Sequence, residues 1–127
     1  MDELADRFFA AVSAGDTETL TSLYSPDARI WHNDKQAEET VSENLRVLRW
    51  LSRTVEDLRY EDIRRHCLPD GFAQQHVLRG HLPGYGALEV PASLFVRIDD
   101  GHITRIDEYV DSAATQPLRE VSDRTRR

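Results

Sequence analysis

Residues 88–111, LEVPASLFVRIDDGHITRIDEYVD, decide how this chain folds. Leu88, Val90, Ala92, Leu94, Val96 and Ile98 fall on every second position, the period of a strand with one buried face. Asp99-Asp100-Gly101 turns the chain, and His102 to Val110 reads as a second strand. The turn decides which polar side chain goes inside. A two-residue loop at Asp100-Gly101 sets Ile98 opposite Ile103 and puts Arg105 and Asp107 on the apolar face. A three-residue loop, with Gly101 left-handed, sets Ile98 opposite His102. The apolar face then runs through Thr104, Ile106, Glu108 and Val110, hiding one carboxylate instead of an Arg and an Asp. The cheaper, three-residue register is the expectation. It aims a lone Glu108 into an apolar space and makes it a candidate site residue.

Outward from that hairpin, the pattern supplies the rest of the fold. Leu58 to Leu68 and Phe72 to Leu82 read as two more strands. Pro69-Asp70-Gly71 joins them, with Pro presetting its dihedral and Gly accepting a positive one. Upstream, Leu4, Phe8, Ala11 and Val12 give an amphipathic helix over residues 2–14, ended by Gly15. Asp16 caps a short helix carrying Leu20, Leu23 and Tyr24. Ser25-Pro26-Asp27 stops it, Ala28 to His32 is a short strand, and Asn33 to Thr40 is polar and loop-like. Val41, Leu45, Leu48 and Leu51 define a third helix, with Val47 and Trp50 widening its stripe. Three helices followed by four long antiparallel strands mean α+β, a curved, cone-like sheet wrapped around helices whose mouth is a ligand pocket.

At 127 residues the chain is one domain, placed at residues 1–115 with a polar tail over 116–127. Its net charge of −7 argues against nucleic acid or an anionic membrane as partner. The basic cluster Arg119, Arg124, Arg126 and Arg127 reads as a solvated tail. A single cysteine, Cys67, fits a reducing compartment and reads as a small core residue. With no apolar run approaching a membrane span and no export signal, the expected location is the cytoplasm.

The chemistry-bearing residues are few. His32, His66, His76, His81 and His102 form no His-x-x-x-His pair or two-His, one-carboxylate spacing, so no metal is expected. Gly84-Tyr85-Gly86 lacks the helix and lysine of a phosphate loop. His32 shares a strand face with Ile30, which sets it at the pocket wall, either as an acid–base group or as a histidine bonded to backbone. Glu108 has the same two readings: a structural pair with Arg65 or Arg79, or an acid–base couple with His32. On the strand from 72 to 82 the pattern does not choose a face: either Gln75 and Arg79 or Gln74 and His76 line the pocket. Trp31, Trp50 and Tyr24 read first as core aromatics.

The strings Phe8-Phe9-Ala10-Ala11-Val12-Ser13-Ala14-Gly15-Asp16, Leu23-Tyr24-Ser25-Pro26-Asp27-Ala28 and Asp100-Gly101-His102-Ile103-Thr104-Arg105-Ile106, with Tyr109 and Asp111, resemble the nuclear transport factor 2-like superfamily in its SnoaL-like branch. Its relatives include ketosteroid isomerase, limonene epoxide hydrolase, scytalone dehydratase and polyketide cyclases. The resemblance covers residues 2–115 and implies a deep pocket, no cofactor and a homodimer formed through the open sheet. Aligned on Tyr24 to Ala28, it sets His32 where ketosteroid isomerase keeps its carboxylate base. That enzyme's oxyanion-donating tyrosine falls on Phe8 and its protonated aspartate near Leu94, neither of which donates a hydrogen bond. Glu108 matches one acid of the limonene epoxide hydrolase triad, whose other positions fall near Gln75 and Val77, or Val77 and Arg79. The resemblance therefore favours the Gln75 face. An echo of the pocket histidines of scytalone dehydratase would be His32 with His76.

Two functions follow as expectations. One is a cofactor-independent isomerase, dehydratase, cyclase or hydrolase acting on a small, mostly apolar, oxygenated molecule. In it His32 and Glu108 are catalytic, and Tyr24, Gln75, His76, Arg79 and Leu94 bind substrate. The other is a non-catalytic ligand-binding or dimerisation module of the same fold.

Overall fold

The computed structural model describes residues 2–125. Its helices are α1 (Asp2–Ala14), α2 (Thr17–Leu23), α3 (Val41–Thr54) and α4 (Ser112–Thr125). Its strands are β1 (Tyr24–His32), β2 (Ala37–Glu39), β3 (Glu56–Leu68), β4 (Gly71–Leu82), β5 (Gly86–Asp99) and β6 (His102–Val110). They form one sheet in the order β2-β1-β6-β5-β4-β3. Only β1 and β6 run parallel among these neighbours. The expected α+β architecture is the one observed.

The closing hairpin reaches the expected face by a different route. Asp99 pairs with His102 and Ile98 with Ile103, so the loop is the two-residue Asp100-Gly101, with φ of 51° and 76°. Those two positive values are the twist-matched hairpin geometry that Asp-Gly favours. Past Ile103 the register shifts by one residue at a bulge, so Arg97 faces Arg105, Val96 faces Ile106 and Leu94 faces Glu108. The extra residue flips the strand back and turns Glu108 to the apolar side, while Ile103 rather than Thr104 fills the core. The three-residue loop is thus corrected; the orientation of Glu108 is not.

Four further expectations change. At Pro69-Asp70-Gly71, Gly71 has no positive φ; it is needed because a Cβ there would lie 1.8 Å from the Val96 carbonyl oxygen. The polar segment after His32 contains β2, which folds back on β1 and pairs Glu39 with Ile30 and Ala37 with His32. The stretch expected as a solvated tail is α4, whose Ala114, Leu118 and Val121 pack on an apolar cluster. Arg126 and Arg127 lie outside the described residues. Cys67 is exposed at the β3 end, so it is not a core residue.

The helices are stopped and started as their residues dictate. Asp16 accepts from Thr19 N at 3.1 Å, and Thr40 with Glu43 forms a reciprocal cap on α3. The first apolar cluster joins Phe8, Phe9 and Val12 of α1 to Ile30, Phe72, Val96 and Ile103 of the sheet. The second joins Leu51 and Val55 to Leu82, Leu88 and Val90. Each fully buried side chain of this size contributes about 1.5–3 kcal/mol, so the sheet is held to its helices firmly on either side of the space between.

Candidate active site

A cavity of about 620 Å³ opens over the concave face of the sheet, flanked by members of both clusters, Leu48 and Tyr60 from one side, Leu51 and Val90 from the other. The register explains how two of its lining residues, His32 and Glu108, come together. His32, Glu108, Leu94, Gln74 and Arg65 pair in one continuous row across β1, β6, β5, β4 and β3, so all five present the same face. Ala92 pairs with both Val110 and His76 one step further along, and its small side chain leaves the centre open.

His32 and Glu108 meet there. His32 Nδ1 lies 2.8 Å from Glu108 Oε1, and Nε2 lies 2.8 Å from Glu39 Oε1. A histidine with a carboxylate on each nitrogen donates two N–H bonds and is therefore an imidazolium. Burial, the largest single influence, lowers its proton affinity. The hydrogen bonds and charges of Glu108 and Glu39 together outweigh burial and hold it at about 10, against 6.5 unperturbed. At Glu39 burial likewise opposes charge, and His32 prevails, keeping that carboxyl below its usual range. Behind this triad Asn44 Nδ2 donates to Glu39 Oε1 at 3.2 Å, and the Tyr24 hydroxyl donates to Asn44 Oδ1 at 2.7 Å. Asn33 fixes the strand ends, donating to the Val110 carbonyl and accepting from its N–H. Among the described residues, Glu108 Oε2 has no hydrogen-bond partner, and Glu108 lines the cavity.

On the opposite wall stand Tyr60 and His76, ring centroids 4.7 Å apart. Burial lowers the His76 imidazole and raises the Tyr60 phenol, so both are neutral at neutral pH. Gln74, only 1 % exposed, bridges Arg65 to His76. Among the described residues no group of three or more His, Cys, Asp or Glu side chains is arranged to hold a metal ion. No described helix is long and apolar enough to cross a membrane.

Of the residues singled out in the sequence, His32, Glu108 and His76 line the cavity. Tyr24 stands behind it through Asn44, and Leu94 is buried in the first apolar cluster, between Glu108 and Gln74 in the sheet and not on the cavity lining. Gln75 and Arg79 are corrected. Gln75 is exposed on the outer face, where Arg79 bonds Glu61 and Asp62. The inner face is that of Gln74 and His76, because Phe72 and Leu82 on the same alternation are fully buried. Trp50 lines the cavity, whereas Trp31 stacks edge-on with Tyr109.

Three residues were missed. Asn44 carried a signal, since it falls on the Val41, Leu48, Leu51 stripe of α3 as its one polar member. Tyr60 also carried one, two residues from Leu58 on the same strand face. Glu39 had none; the hairpin that brings it to His32 has no apolar alternation.

The SnoaL-like domain family matches residues 5–106. No curated protein sequence matches the chain. Among solved structures, IdmH of Streptomyces antibioticus, proposed to be a polyketide cyclase, superposes with a TM-score of 0.78 at 21% identity, covering 89% of this chain and 93% of its own. AclR of Streptomyces galilaeus, proposed to be a hydroxylase, gives 0.77 at 16% identity over 92% and 90%. A protein of Catenulispora acidiphila with a ketosteroid isomerase-like fold, solved with trimethylamine, gives 0.73 at 18% identity over 84% of each chain. These likenesses are of fold, and with the family match over most of the chain they place it: the protein belongs to the SnoaL-like domain family.

Proposed function

We propose that the protein is an enzyme that removes a proton from carbon beside a carbonyl in a small, mostly apolar substrate, the first step of an isomerisation, a cyclisation or a dehydration. The observation that carries this reading is Glu108. One of its oxygens is fixed by the His32 N–H at 2.8 Å, the other is open to an apolar cavity. Glu108 Oε2 takes the proton, the C–H electron pair becomes the new carbon–carbon double bond, and the carbonyl π pair moves onto oxygen as the enolate forms. His32 is then not the base, as first expected from its type, because both of its nitrogens already carry protons. Its imidazolium orients Glu108 and offsets the charge of the Glu39–Glu108 pair. The likeness in fold to a protein proposed to cyclise polyketides favours a poly-carbonyl substrate. The step draws on the chain's own residues alone.

The test is exchange of the protons beside the carbonyl of simple cyclic ketones in deuterated water, followed by proton magnetic resonance. Wild-type protein accelerates the exchange and Glu108→Gln does not; equal rates for the two would discard the proposal.

We also infer a homodimer through the outer face of the sheet. Phe95 is 47% exposed and Tyr109 50%, with Trp31 against Tyr109, an apolar surface uncommon on a solitary sheet face. The free, exposed Cys67 suits a reducing compartment, and we place the protein in the cytoplasm.

A further inference from the structure

Proton removal by Glu108 leaves negative charge on a substrate oxygen, and the cavity wall opposite Glu108 supplies what that oxygen needs. The chain of donors begins at Arg65, whose Nη1 lies 3.2 Å from Asp2 and 2.9 Å from Asp6 on α1, and whose guanidinium sits 5.7 Å over the Phe72 ring. Its Nε lies 2.8 Å from Gln74. A guanidinium only donates, so the Gln74 atom facing it is the carbonyl Oε1. The Gln74 amide therefore turns its NH2 to His76, and Nε2 lies 2.8 Å from His76 Nδ1. An amide nitrogen only donates, so Nδ1 accepts and the single proton of the neutral imidazole resides on Nε2.

That N–H is unused. Among the described residues neither His76 Nε2 nor the Tyr60 hydroxyl has a hydrogen-bond partner, and no fully buried side-chain polar atom lacks one. The two groups therefore open to the cavity that both residues line. Their rings stand edge to face, at an interplanar angle of 76°, braced by Phe9 against both. We propose that the Tyr60 hydroxyl and the His76 Nε2–H form a two-donor subsite for a carbonyl, enolate or phenol oxygen, with Arg65 and Gln74 as positioning residues that fix the His76 tautomer. This rests on the reading of Glu108 for its catalytic use, and on geometry alone for its existence as a binding site. Two neutral donors stabilise an oxyanion without adding a second cation to the one that His32 already sets against the base.

Two measurements test it. Long-range nitrogen–proton correlation spectra of the wild-type protein report His76 as the neutral Nε2–H form near neutral pH, and Gln74→Leu releases it to a mixture of tautomers. A protonated or Nδ1–H His76 in the wild type overturns the subsite, and an unchanged tautomer in Gln74→Leu overturns the positioning role. Separately, 4-nitrophenol binds the wild type saturably, and Tyr60→Phe and His76→Leu each weaken it about tenfold, the worth of one good hydrogen bond. Binding equal to wild type in both variants, or no saturable binding to the wild type, overturns the subsite. The phenol is bound without turnover, so these results stand whether or not Glu108 is the base; ketone exchange alone reads Glu108.

Discussion

Replacing His32 by glutamine removes a cation from between two carboxylates and leaves a side chain of similar reach that does not titrate. The three partners are largely buried, with side-chain exposures of 18% for His32, 12% for Glu39 and 24% for Glu108. A proton affinity raised from 6.5 to about 10 is worth roughly 5 kcal/mol, at about 1.4 kcal/mol for each tenfold. Residual solvent access to the pair reduces that to roughly 2–4 kcal/mol. The sign follows from the direction of the shift. A group that binds its proton more tightly when folded stabilises the fold fully below its unfolded value of 6.5, and that contribution drains away as pH climbs toward 10. Urea unfolding of both proteins across this range gives the answer. Near pH 6 the variant is less stable by roughly 2–4 kcal/mol, and by about pH 10 the two curves converge. Subtracting the variant cancels the titration of groups away from the triad, leaving His32 and the carboxylates it touches. A gap that stays constant over the whole range means a neutral His32 and refutes the imidazolium assignment.

Glu108→Gln keeps the shape and a hydrogen-bond acceptor for His32 while removing the basic oxygen. Ketone exchange falls by at least about a hundredfold in a protein that still folds, and the thermal midpoint drops because the His32 imidazolium loses one of its two carboxylates, as read by magnetic resonance and calorimetry. Gly71→Ala forces a methyl to within 1.8 Å of the Val96 oxygen, so β4 and β5 must part at that end. It loses up to about 3 kcal/mol in urea unfolding. Phe95→Glu sets a charge on the outer apolar face, and sedimentation velocity shows the dimer giving way to monomer without loss of secondary structure. A protein that sediments as monomer before the change refutes the dimer.

The sequence made the helices and long strands legible because each buries one face and so writes its period into the chain. Leu88 through Ile98 and Leu4 through Val12 needed nothing else. Glu108 was legible for the same reason, a carboxylate on an apolar alternation. Its route was not, because a bulge after a two-residue loop and a three-residue loop both leave Ile106, Glu108 and Val110 on the inner face. The face of β4 was illegible locally, since Gln74, His76 and Leu78 look no more buried than Gln75, Val77 and Arg79. The decision is made at a distance, by Phe72 and Leu82 entering the core. Glu39 was out of reach altogether: β2 exists by pairing its backbone with β1, and backbone pairing leaves no mark on side-chain pattern.

The row His32, Glu108, Leu94, Gln74, Arg65 gives the cavity its polarity. At each end a charged residue locks a neighbour into one hydrogen-bonding role: His32 holds Glu108 as an acceptor, and Arg65, through Gln74, holds His76 as a donor. Leu94 sits between them and keeps the two systems from bonding to each other. Adjacent strands lie about 4.8 Å apart, so Glu108 and Gln74 are held roughly 10 Å apart at the backbone, and their side chains leave a gap the size of a small ring. A substrate seated over Ala92 meets an acceptor on one side and, on the other, donors that cannot quench it. Exchanging Leu94 for a polar residue would join the two networks. Leu94→Gln is then expected to lose ketone exchange while every group assigned to the chemistry remains in place, because Glu108 Oε2 would have a partner inside the protein and no reason to take a proton from the substrate.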